Sequence, residues 1–151
     1  MPEQTAAERR SLYAETVTRE TGIDEAMIEK LIHSFYSDMR ADPMLAPIFA
    51  ARIADWTPHL AQMCAFWSSV VLMTGRYHGR PMEKHLTLPL PADASHFDRW
   101  LALFEAAARR ERPPAAADVF IDRARRIGES LELGLAGRRG QLLKKGERLG
   151  P

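Results

Sequence analysis

Between Asp24 and Met39 the large apolar residues Met27, Ile28, Leu31, Ile32, Phe35, Tyr36 and Met39 recur at intervals of three and four. That spacing gathers them onto one stripe of a helix, which must be buried against something. Elsewhere the chain shows no run with the period of two that a half-buried strand requires. The fold class expected is therefore all-α, and the remaining question is how the helices are divided.

Proline and glycine make the divisions. A weakly periodic segment from Ala6 to Arg19 reads as a peripheral helix, stopped by Thr21 and Gly22, with Asp24 capping the next. Asp42-Pro43 ends the striped helix, and the short apolar stretch of residues 44–54, broken by Pro47, reads as a turn or a single helical turn. A third long helix is expected from Asp55 to Thr74, with Pro58 tolerated in its first turn and His59, Met63, Phe66, Trp67, Val70 and Val71 on one face. Pro81 opens a brief helix that cannot pass Pro89 and Pro91. Two further helices are expected, from Ala94 to Arg110 and from Pro114 to Leu135. Beyond Gly137 the basic, glycine-punctuated tail reads as frayed and flexible, a solubilising extension.

A chain of 151 residues suits one domain with room for a core and a ligand cavity. Its formal net charge of +1 supplies no reason to invoke nucleic acid or an anionic membrane. Cys64, alone, makes neither an intramolecular disulfide nor a cysteine-based zinc site, which fits a reducing compartment. No apolar run approaches bilayer length and MPEQTAAERR lacks a signal-peptide core, so a cytoplasmic protein is expected.

Phosphate-loop, nucleophile-elbow and His-Glu-x-x-His signatures are missing. The histidines and large aromatics remain as informative residues. Taken singly, His85 reads as an ordinary surface or half-buried histidine, and Tyr36, His59 and Trp100 as satisfied core side chains. Cys64 reads as packing. Several polar tips converging on an apolar interior are nonetheless the usual form of a small-ligand or cofactor site.

Four segments in order carry a resemblance: FYSDMRADPMLAPIF (35–49), WTPHLAQMCAFW (56–67), GRYHGRPMEKHLTLP (75–89) and HFDRWLALF (96–104). Over about residues 24–135 the chain resembles the group III truncated haemoglobins, the KHLTLP element with a downstream tryptophan being its most specific part. The resemblance implies a truncated globin fold, a two-over-two helical sandwich. Here it would be divided as an extra N-terminal helix (1–23), the globin domain (24–136) and the basic tail (137–151). The loop between His85 and Trp100 is slightly longer than the family pattern.

It further implies haem b, with His85 as the proximal iron ligand, and Tyr36, His59 and Trp100 on the distal side. Phe49, Met63, Phe66 and Trp67 would line the pocket. For the haem propionates Tyr77, Arg76 and Arg80 are candidates, ordinary solvated loop groups being the other reading. The function implied is binding of oxygen or another diatomic gas at a pentacoordinate iron, with Tyr36 and Trp100 donating hydrogen bonds and an unidentified reductase as redox partner. Two alternatives stay open: a haem enzyme that detoxifies nitric oxide or peroxide, and a cofactor-free helical interaction module.

Overall fold

The structure is a computed structural model and describes residues 3–77, 92–110 and 112–150. Its helices, in chain order, are α1 (Ala6–Thr21), α2 (Glu25–Ala41), α3 (Ala46–Ala50), α4 (Trp56–Val71), α5 (Ala94–Arg110) and α6 (Pro114–Arg138). Among the described residues there is no strand. The brief helix expected after Pro81 lies outside the described residues.

Local chemistry sets the helix ends. Thr5 and Glu8 form a reciprocal capping box at the start of α1. Gly22 closes that helix at φ 82°, a left-handed conformation that costs a glycine little, and donates its N–H to the Thr18 carbonyl. Asp24 then caps α2 by accepting the Met27 N–H at 2.9 Å. None of the α1 residues is fully buried, as its weak periodicity predicts, although Ala14 and Val17 pack against the core.

The α2 stripe is the centre of the molecule. Ile28, Leu31, Ile32, Phe35, Tyr36 and Met39 are all buried. Helix α2 packs on α4 and α5, α5 packs on α6, and α6 packs on α4. Helices α2, α4, α5 and α6 thus close into a two-over-two sandwich. At its middle Trp67 stacks on Phe104, with centroids 4.9 Å apart and planes at 18°, while the edges of Phe35 and Phe120 meet the same pair.

Asp42 joins three elements. Its backbone N–H closes α2 onto the Met39 carbonyl, and its buried carboxylate accepts the N–H groups of Met44 and Leu45 ahead of α3. The same carboxylate takes Arg99 of α5 at 2.8 Å through Nε and 2.7 Å through Nη2. The Arg99 guanidinium beside it, with those two backbone donors, holds the Asp42 carboxyl below the usual carboxylate range against the opposing effect of burial.

Two expectations are corrected. Helix α4 stops at Val71 rather than Thr74, because Met73 turns into the left-handed region at φ 54° and Thr74 folds back so that its hydroxyl meets Ser68 Oγ at 2.6 Å. The tail is not frayed at its end. Leu149 is buried against Ala92, Leu135 and Ala136, and its carbonyl accepts the Ala94 N–H at 2.8 Å. Arg148 meets the buried Glu132 at 3.0 Å and Asp98 at 2.7 Å. One apolar anchor and one charge fork pin a segment whose composition alone suggests disorder.

Candidate functional site

Tyr36 and Arg40 lie four residues apart on one face of α2; Trp56 and His59 lie three apart on one face of α4. The two faces meet. Tyr36 stands edge-on to His59, with centroids 5.4 Å apart and planes at 85°, and at 5.9 Å from Trp56. His59 is in turn edge-on to Trp56 at 5.7 Å.

Phe35 links this group to α5. Its ring meets Tyr36 at 5.1 Å and Trp100 at 5.8 Å, both edge-on. Trp100 stacks on Phe104, and its six-membered ring lies beside Gly128 of α6: a Cβ there would stand 3.5 Å from Trp100 Cζ3. Since that edge of the indole is opposite Nε1, the N–H edge is directed away from α6.

The chemistry of the donor set follows from burial. Desolvation, with a smaller contribution from nearby Cys64, pushes the Tyr36 hydroxyl well above its ordinary pKa. A tyrosine is already protonated at physiological pH, the shift works in the same direction, and Tyr36 can serve as a donor. Burial likewise raises the Cys64 thiol, chiefly by desolvation and then by the Glu29 carboxylate, which leaves it a poor nucleophile.

Of the other residues expected at a site, Phe49, Met63 and Phe66 are partly buried and pack against the core. Trp67 is buried, engaged with Phe104, Phe120 and Phe66. Tyr77 sits edge-on to Phe66 at 5.5 Å, and its N–H donates to Ser69 Oγ at 2.9 Å. Arg76 is paired with Glu25, Nη1 to Oε2 at 2.6 Å, while Glu25 Oε1 accepts from the buried Ser68 hydroxyl at 2.6 Å. That cation is committed to the start of α2. His85 and Arg80 lie outside the described residues.

Sequence reasoning assigned no site role to Phe35, Trp56 or Arg40. The signal for the last two was present in their spacing from His59 and Tyr36, once the two helix faces are known to meet.

Residues 17–126 match the family model of bacterial-like globins. The chain belongs to the bacterial-like globin family. It is 34% identical over 114 residues to the group 3 truncated haemoglobin of Campylobacter jejuni, covering 73% of this chain and 89% of that protein. With the group 2 truncated haemoglobin of Bacillus subtilis it shares 26% over 85 residues, 56% of this chain and 64% of the relative. The crystal structure of the Campylobacter jejuni group III protein superposes with a TM-score of 0.69 at 32% identity, over 83% of this chain and 95% of that one. A haemoglobin of Chloroflexus aurantiacus superposes at 0.61 with 21% identity, over 76% and 95%, a likeness of fold.

Membership in this family makes the globin a haem protein for gaseous ligands. The residues present fit that group on the side they build. A buried phenol and an indole flank Phe35 on the faces of α2 and α5, a histidine of α4 stands against that phenol, and apolar Phe49, Met63 and Phe66 pack on the same core. Among the described residues no helix is long and apolar enough to cross a membrane.

Proposed function

We propose that this globin binds oxygen or a similar diatomic gas, with Tyr36 as principal donor to the ligand and Trp100 as the second. When bound, haem would supply an iron centre that takes such ligands. His85, in the KHLTLP segment, would hold that iron through a neutral imidazole. The observation that carries the reading is the edge-to-face contact between the buried Tyr36 phenol of α2 and the His59 ring of α4.

Each residue has a defined part. Tyr36 donates a proton toward the partial negative charge that a polarised diatomic ligand carries. Trp100 offers an N–H whose direction is set by Phe104 behind it and α6 beside it. Phe35 keeps the two donors in fixed relation, so little ordering entropy is lost when a ligand arrives. His59 walls the space next to Tyr36, and Phe49, Met63 and Phe66 exclude water.

Haem b is the form favoured, because covalent attachment through a Cys-x-x-Cys-His motif needs two cysteines and the chain carries one. Tyr77, Arg76 and Arg80 are the propionate contacts proposed, Arg76 also meeting Glu25 in a half-exposed pair that solvent screens. A ferrous iron needs an electron source, so a reductase is the partner this reading implies, in a reducing compartment such as the cytoplasm.

Absorption spectroscopy of the chain expressed with sufficient haem tests the reading. A strong Soret band that His85→Ala abolishes, while helical content is kept, is the expected result. A colourless parent, or a band indifferent to His85→Ala, refutes it.

A further inference from the structure

Arg40 places its guanidinium carbon 4.6 Å from the centroid of Trp56. This is cation–π geometry, and it forms an outer rung to the inner rung of Tyr36 and His59. Both rungs cross the same junction: Tyr36 and Arg40 climb α2 one turn apart, and Trp56 and His59 climb the first turn of α4. The rings of Tyr36, His59 and Trp56 form a closed triangle, with centroids 5.4, 5.7 and 5.9 Å apart, in which His59 stands edge-on to both neighbours. A swing of that imidazole toward Trp56 would meet the Trp56 ring. Arg40, an exposed residue in the last turn of α2, covers the outside of that ring.

We infer that Arg40 and Trp56 form a surface latch that holds His59 against Tyr36 and so limits how fast a gas molecule reaches the donor pair. This rests on the reading of Tyr36 and His59 as the ligand-side residues. Trp56 and Arg40 are positioning residues: Trp56 is in ring contact with His59 and Tyr36, and Arg40 acts through Trp56. Asp55 anchors the arrangement by capping α4 through the Thr57 N–H, which fixes where Trp56 emerges.

The latch is tested on the haem-loaded protein by carbon monoxide recombination after flash photolysis. An exposed cation–π contact is a small energy, so Arg40→Gln should speed association about two- to fivefold. Arg40→Lys, which keeps a cation over the ring, should stay close to the parent rate. Trp56→Leu, which removes the ring beside His59, should speed association by roughly tenfold, the value of about 1.4 kcal/mol. A second readout follows the ring itself. The His59 imidazole proton resonances should shift in Trp56→Leu and Arg40→Gln and hold in Arg40→Lys, since they feel the Trp56 ring current.

Unchanged association in both Trp56→Leu and Arg40→Gln, with helical content preserved, overturns the latch and leaves the functional reading standing. Unmoved His59 resonances in Trp56→Leu overturn it as well. A parent chain that takes up no haem overturns the functional reading beneath it.

Discussion

Trp100 rests its six-membered ring against Gly128, so closely that a methyl group added there would touch Cζ3 at 3.5 Å. That distance is ordinary van der Waals contact. Gly128 also sits in the interior of α6, where glycine costs about 0.5–1 kcal/mol relative to alanine. Gly128→Ala should therefore raise stability by about 0.5–1 kcal/mol while leaving the Trp100 indole in place. Chemical denaturation measures the gain; a loss of stability would mean that the indole has no room to accept the methyl.

How much of this was legible in the sequence differs by element. The period of three and four residues located the α2 stripe, and α5 was read to both ends, because each helix buries one continuous face. The end of α4 was misplaced because hydrophobic pattern runs on through Leu72 and Met73, whereas the stop is made by a hydroxyl pair six residues apart, Ser68 and Thr74. The pair of Arg76 with Glu25 joins positions fifty-one apart, which no local pattern reveals. Leu149 and Arg148 hold the tail through single contacts, which have no period to detect. Likewise Arg40 and Trp56 carry meaning only after α2 and α4 are seen face to face.

Tyr36→Phe removes one hydroxyl from a site where the ring itself is packed by Phe35, Trp56 and His59. The ring should keep its place. A hydrogen bond to a charged or strongly polarised partner contributes about 1.5–3 kcal/mol, so oxygen dissociation should accelerate about ten- to a hundredfold. Stopped-flow displacement of oxygen by carbon monoxide gives the rate, and an unaltered value would remove Tyr36 from the donor role.

Asp42 makes part of the stability dependent on pH. Its folded-state pKa lies below the unfolded one, chiefly because Arg99 bonds its side chain, so the unfolded chain binds the proton more readily. The contribution is complete above the ordinary carboxylate value of about 4 and is lost as pH falls through the lowered native value. Asp42→Asn should therefore melt below the parent at neutral pH, and the gap should narrow as pH falls below about 4. Thermal melts from neutral to strongly acidic buffer check this; a gap that persists undiminished in acid would assign the loss to packing rather than charge.

Arg148→Ala tests whether the C-terminal segment is part of the folded unit. Glu132 is buried on α6 and receives Arg148 Nε at 3.0 Å on both carboxylate oxygens, with the Leu149 N–H at 3.3 Å on one of them. Removing the guanidinium leaves that carboxylate with the Leu149 N–H and frees Asp98 at the head of α5. An abandoned buried charge can cost several kcal/mol, but Arg148 is half exposed and water can take its place, so about 1–2 kcal/mol is expected. Adding Glu132→Gln to Arg148→Ala should recover much of that loss, since an amide needs no counter-charge. Thermal unfolding of the single and double variants decides it: an Arg148→Ala melt that matches the parent would show that the Arg148 fork adds nothing to stability.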